Sequence, residues 1–224
     1  MTKVIAFDVN ETLLDLRALD PYFEELFGSA ALRPQWFGQM LQIAFVGGLT
    51  GRYVDFGTAQ RAALKMLGAR QQIEIDDQTA STMVDRMRSL PAHPEVAEAL
   101  TRLSETPLRL VALTNSTADV AADQLSNAGI RDAFEGAFSA DAVKALKPAR
   151  AAYELVAGEC DVPLSDVRLV AAHAWDISGA LAAGARAAFV ARPGMVLSPV
   201  GPQPDVQGGD ISEVVDRIIA VDNR

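Results

Sequence analysis

The sequence predicts an α/β fold, a doubly wound and mostly parallel sheet with an inserted helical cap. Three observations carry the prediction. Four short apolar runs, VIAF (4–7), LRLVAL (108–113), VRLVAA (167–172) and AAFVA (187–191), lack polar alternation, as strands covered on both faces do. Helix-period segments separate the later runs, which is the alternation that right-handed β–α–β crossovers require. Between the first and second runs, residues 15–90 show helical spacing and no strand signal.

Taken in order, VIAF ends abruptly in Asp8, a carboxylate leaving the apolar layer at a strand tip, and Val9, Asn10, Glu11 and Thr12 after it suit a turn. DPYFEELFG then predicts a helix with Asp20 as N-cap, Pro21 at the first helical position and Gly28 at the end. PQWFGQMLQIAFVGG, FGTAQRAALKMLGA and DDQTASTMVDRMRSL add further helices. The expected division is a core of residues 1–14 and 91–224 with a cap of residues 15–90. TADVAADQLSNAGI follows the second run and closes on Gly129. ARAAYELVAGEC precedes the third run, and DISGALAAGAR follows it and closes on Gly184. The Pro- and Gly-rich RPGMVLSPVGPQPDVQGGD reads as a loop before a last helix at 211–220.

Composition narrows the partners. A formal net charge of −9 disfavours nucleic acid and anionic membranes, both of which need a basic footprint. It leaves room for an anionic small molecule at a locally positive site. One cysteine, Cys160, cannot form an intrachain disulfide, and no run approaches the length of a membrane span. The opening residues carry no signal-type stretch, so the expectation is a soluble, cytoplasmic protein.

Ligands of open α/β sheets bind beyond the carboxyl ends of the strands. Those ends supply Asp8 from the first run and Thr114, Asn115 and Ser116 from the second, just before a helix N-terminus suited to an anion. The third supplies His173, Trp175 and Asp176 in AAHAWD. Lys147 lies between the second and third in ALKPARAAY, with Tyr153 six residues on.

FDVNETLLD, LTNS, LKP and AHAWD, in this order and with a helical insertion after the first, resemble the motifs of the haloacid dehalogenase superfamily over nearly the whole chain. The phosphatase branch carries a second acid two residues after the nucleophile and an acid pair in its fourth motif. Here those places hold Asn10 and Ala172, which speaks against metal-dependent phosphoryl transfer. The L-2-haloacid dehalogenase branch is the nearer resemblance, with GRYVDF (51–56) also similar to its cap. It implies a cofactor-free and metal-free hydrolase acting on a small carboxylated, halogenated substrate. Asp8 attacks the halogen-bearing carbon, and water then hydrolyses the resulting ester to a 2-hydroxy acid.

The resemblance also implies roles. Lys147 holds Asp8 ionised, Thr12 fixes its other oxygen, and Asp176 positions Lys147 or water. Thr114 receives the substrate carboxylate, Asn115 offers its amide to the halide, and Tyr153 hydrogen-bonds near the substrate. Asn10, Phe37 and Trp175 complete the substrate pocket, and a homodimer is among the forms the resemblance allows. Three departures stand out, one of them Ala171 in the place of the branch's fourth-motif serine. Phe37 occupies the place of the branch's halide-binding arginine, with Arg33 and Arg52 as alternatives to reach in, and His173 stands where the branch has asparagine, able to bind or activate water. A phosphatase of the same fold and a non-catalytic binding protein are the competing readings.

Overall fold

Six parallel strands form one sheet in the computed structural model, which describes residues 2–222: β1 (Val4–Phe7), β2 (Arg109–Thr114), β3 (Gly136–Ser139), β4 (Val167–Ala171), β5 (Arg186–Val190) and β6 (Val206–Gly208). Their order is β3-β2-β1-β4-β5-β6. The winding therefore reverses between β1 and β4, the place where an open α/β sheet leaves a crevice at its carboxyl edge. Phe7, the last residue of β1, pairs with Ala112 on one side and Val170 on the other, so β2 runs on to Thr114 and β4 to Ala171 beyond it.

Alternation along β1 splits the core. Ile5 and Phe7 face a cluster that reaches the inserted helices, whereas Val4 and Ala6 pack with Val156, Ile177 and Ala180 on the opposite face. Helices α1 (Asp20–Phe27), α2 (Leu32–Leu49), α3 (Phe56–Arg70) and α4 (Asp77–Asp85) lie between β1 and β2 in sequence. The chain leaves and re-enters the sheet side by side: Asp15 N–H donates to Pro91 O at 2.8 Å, and His93 N–H to Leu13 O at 2.9 Å. Asp55 and Asp76 cap α3 and α4 by accepting from the N–H groups of Thr58 and Thr79.

Beyond β2 follow α6 (Ala118–Asn127), α7 (Arg150–Glu159), α8 (Ala174–Ala183) and α9 (Ile211–Asp222), with α5 (Val96–Ser104) just ahead of the strand. Among the described residues, no helix is long and apolar enough to cross a membrane.

Several local expectations are corrected. Asp20 is not an N-cap but the first residue of α1, because a 3-10 turn at Leu16–Leu19 runs straight into the helix and leaves Leu19 already helical. Asp15 supplies the cap one turn earlier by accepting from Arg17 N–H. Gly28 does close α1, with φ 72°. The loop read before the last helix contains β6, which pairs with β5, and β3 was not expected at all. Both are edge strands of three or four residues, too short to show a period. Arg168 is fully buried within the apolar run of β4. It is neutralised by Asp222 at 2.6 Å and Asp205 at 2.5 Å, so a charge inside a strand is held by acids from the chain's end.

Candidate active site

Asp8 follows β1 directly, and its own N–H still donates to Val170 O at 2.9 Å. That bond extends the ladder by one residue and fixes the carboxylate at the crevice between β1 and β4. The chain must then turn sharply, and it does so with Glu11 in the left-handed region at φ 62°. The turn brings Thr12 back beneath Asp8. Thr12 Oγ1 donates to Asp8 Oδ2 at 2.6 Å and accepts from Ala172 N–H at 2.9 Å, which ties the β1 and β4 ends together.

Lys147 approaches from the other side. Its Nζ lies 2.7 Å from Asp8 Oδ1, 2.6 Å from Asp176 Oδ2 and 3.0 Å from Leu113 O, and all three ammonium protons are thereby used. Asn115 clamps the backbone that carries this lysine, accepting from Lys147 N–H at 2.7 Å and donating to Lys147 O at 3.2 Å. Tyr153 on α7 donates to Asp176 Oδ1 at 2.7 Å. Gly179 on α8 makes room for it, since a Cβ there would stand 2.5 Å from the Tyr153 hydroxyl and from Pro148.

Burial alone would push the Asp8 carboxyl up, but the adjacent Lys147 ammonium and His173 imidazole outweigh it and hold Asp8 well below the usual carboxylate range. Asp176, wholly buried and without a second cation, is raised by the same loss of water. Of the two carboxylates sharing the lysine, Asp8 is thus the one shifted toward the ionised form. Burial opposes charge on His173 too, yet the carboxylates of Asp8 and Glu11 beside it push the imidazole up to about 9.

A small cavity opens over this group, lined by Asp8, Asn10, Phe37, Phe56, Asn115, Lys147, His173 and Trp175. Of the candidate site residues from the strand ends and motifs, all but Thr12, Thr114, Ser116, Tyr153 and Asp176 border it. Thr12 and Asp176 act one layer behind, through Asp8 and Lys147. Two expectations are revised. The Thr114 hydroxyl accepts from Ser116 N–H at 3.1 Å within its own loop, and the Tyr153 hydroxyl is turned to Asp176, so neither side chain borders the substrate cavity. Asn10 accepts from the Gln124 amide at 2.9 Å, which leaves its own N–H groups toward Ser116 and the cavity.

Neither candidate arginine reaches in. Arg33 is buried but held by Asp20 at 2.5 Å and Glu11 at 3.4 Å, and Arg52 is exposed. The Phe37 ring instead stacks on His173, with centroids 5.4 Å apart and planes 11° from parallel. Reading the sequence passed over Phe56 and Glu11. Phe56 closes the GRYVDF stretch, but nothing in the sequence placed it in the cavity. Glu11 does carry a signal: a long acidic residue in a tight turn where glycine would fit without strain.

This fold and site define a hydrolase with an aspartate at its centre, and the chain belongs to the haloacid dehalogenase-like hydrolase family, whose model matches residues 2–184. It is 30% identical to an (S)-2-haloacid dehalogenase of Pseudomonas sp. (strain YL), covering 96% of this chain and 93% of that protein. It is 28% identical to haloacetate dehalogenase H-2 of Moraxella sp. (strain B), covering 91% and 92% respectively. The solved L-2-haloacid dehalogenase of Xanthobacter autotrophicus superposes with a TM-score of 0.92 at 26% identity, covering 99% of this chain and 100% of that one.

Proposed function

We propose that this chain is an (S)-2-haloacid dehalogenase. The observation that carries the reading is the Asp8 carboxylate. It is ionised and doubly anchored by Lys147 and Thr12, and it faces a cavity walled by aromatic rings and amide groups. Such a cavity suits a small halogenated carbon with a carboxylate. One Asp8 oxygen forms a bond to the carbon bearing the halogen while the carbon–halogen bond breaks, with inversion, and halide leaves. Water then adds to the ester carbonyl of Asp8, the bond from that carbonyl to the substrate oxygen breaks, and a 2-hydroxy acid departs with the carboxylate restored. Asn115 and Asn10 have amide N–H groups to offer halide or substrate carboxylate. The names of the relatives agree with this substrate class.

The test is halide release from chloro-, bromo- and fluoroacetate and from both enantiomers of 2-chloropropionate. Turnover of the (S) enantiomer is expected. Dialysis against EDTA followed by Mg²⁺ should leave the rate unchanged, because the Lys147 ammonium already occupies the gap between Asp8 and Asp176. Phosphatase activity that disappears with chelator and returns with Mg²⁺ would instead place the chain with the phosphoryl-transfer members of the fold.

A homodimer is part of the same proposal. The C-terminal end of α2 leaves Leu49 88% and Val46 50% exposed beside an apolar groove that Phe45 and Leu146 line. Sedimentation velocity should find a dimer for the wild-type protein and a monomer for Leu49→Glu.

A further inference from the structure

Glu11, His173 and Arg33 form a connected group that the ester chemistry above does not use. His173 caps the start of α8, 6% exposed, with its Nε2 2.8 Å from Glu11 Oε2. The other oxygen of Glu11 faces Arg33 Nη1 at 3.4 Å, and Arg33 is braced in turn by Asp20. The opposite ring nitrogen, Nδ1, lies 3.4 Å from Asp8 Oδ2 and makes no hydrogen bond, although it is buried. Phe37 and Trp175 hold the ring plane, with centroids 5.4 and 5.3 Å away. Glu11 reaches His173 from a backbone at φ 62°, the left-handed region that is costly for any residue but glycine. The turn itself would form more readily with glycine. A carboxylate kept at that cost points to a use for the carboxylate.

We propose that His173 is the general base for hydrolysis of the Asp8 ester and that Glu11 is its positioning residue, a role that rests on the dehalogenase reading. By accepting from Nε2–H, Glu11 fixes the tautomer in which the Nδ1 lone pair faces Asp8. This is the division of labour by which a carboxylate orients a catalytic imidazole.

The charges around the ring explain the timing. The groups facing it are Asp8 and Glu11 from the turn after β1. Arg33 on α2 stands behind Glu11, Lys147 behind Asp8, and Asp176 on α8 behind Lys147. In the resting enzyme two carboxylates flank the imidazole, and it carries a proton. Alkylation removes the charge on Asp8, so one of the two anions holding that proton is gone, and the proton leaves to solvent. Neutral Nδ1 then takes a proton from water as the water oxygen bonds to the Asp8 carbonyl carbon. When the tetrahedral intermediate collapses, the bond from that carbon to the substrate oxygen breaks. The remaining hydroxyl proton passes to the departing alkoxide, and Asp8 is again a carboxylate beside an imidazolium. The sum is one water consumed and one hydroxy acid, one halide and one proton released.

Rapid-quench and steady-state measurements with (S)-2-chloropropionate on Glu11→Gln and Glu11→Gly test this. The glycine variant relieves the turn and should fold at least as well as wild type. Both variants should release the first equivalent of halide at nearly the wild-type rate and then accumulate the protein ester, with kcat lower by roughly tenfold or more. In Glu11→Gln the acidic limb of the kcat profile should move to lower pH by about one to three units, because the anion that raises the His173 affinity for protons is lost. Unchanged kcat and an unmoved limb would overturn the dyad while leaving the dehalogenase reading standing. So would an equal loss in the first halide release, which would place Glu11 in the alkylation step. A wild-type protein that releases no halide from any of the acids tested would overturn both.

Discussion

Asp8→Asn loses turnover completely while keeping the fold. An amide is a poor nucleophile toward an alkyl halide, and no other group in the cavity is placed to form the same ester. The loss should therefore reach the background of the halide assay, a fall of at least about four orders of magnitude. The structure also says why the fold survives. The β1 ladder bond at this position comes from the Asp8 backbone, and Thr12 keeps its bond to Ala172 N–H whether residue 8 is an acid or an amide. Near-ultraviolet circular dichroism should stay close to wild type, whereas the urea midpoint at neutral pH should fall, because the stability that the ionised Asp8 contributes is lost with its charge. What changes is the balance around Lys147 and His173. The lysine keeps Asp176, but His173 loses its Asp8 partner, and its proton affinity should fall from about 9 toward the value set by Glu11 alone. Proton NMR of the two histidines reads that shift independently of activity.

Lys147→Met should lose activity and stability together. Lys147 is 1% exposed and is the only cation within hydrogen-bond reach of either Asp8 or Asp176 apart from His173 among the described residues. Removing it leaves two buried carboxylates facing each other across an apolar side chain. Loss of one member of a buried ion pair typically costs about 3–5 kcal/mol, and the nucleophile would also lose the charge that keeps it ionised.

The pH dependence gives this prediction its sign. In the wild-type protein, Asp8 titrates below its unfolded value, so its contribution to stability is present above the ordinary carboxylate range. That contribution is lost as pH falls toward the folded value. In Lys147→Met the shared pocket raises the carboxyl affinity for protons, so the folded state binds more protons than the unfolded one. Lowering the pH from 7 toward 5 should then stabilise the variant. His173 acts at the other end: its folded value of about 9 lies above the unfolded 6.5. Its contribution is therefore complete below pH 6.5 and disappears as pH rises through 9. Between pH 6.5 and 5 the urea midpoint of the variant should rise as pH falls, while the Asp8 and His173 contributions leave the wild-type midpoint unchanged.

Much of this was legible in the amino acids because most of the proposed catalytic groups sit near the end of a strand run. Asp8, Thr12, Lys147 and Asp176 are polar residues at the ends of apolar runs or before a proline, and the parallel sheet brings all such ends to one edge. The β1, β2, β4 and β5 runs are mostly apolar because helices cover both their faces, so they could be found without alternation. Edge strands β3 and β6 carry no such run, and their pairing is set by β2 and β5. The α5 pattern of Val96, Ala99, Leu100 and Leu103 was present but lay just past the inserted segment, and it went unread. Side-chain direction was the other limit. Nothing in the sequence says that Tyr153 turns to Asp176 or that Thr114 satisfies its own loop. Those orientations follow from the space left by Gly179 and from the turn at Ser116. Glu11 was hidden for a related reason, since its meaning depends on a left-handed turn and on a histidine far away in sequence.

The proposed reaction depends on a covalent bond to one carboxylate, that of Asp8. Wild-type protein mixed with (S)-2-chloropropionate, quenched within the first turnover and analysed by peptide mass spectrometry, reads that bond directly. One added 1-carboxyethyl group, the substrate less its halogen, is expected on the peptide that contains Asp8. That group should be absent from Asp8→Asn and more abundant in Glu11→Gln. Halide release at the wild-type rate with no modified Asp8 peptide at any quench time in either wild type or Glu11→Gln would contradict it.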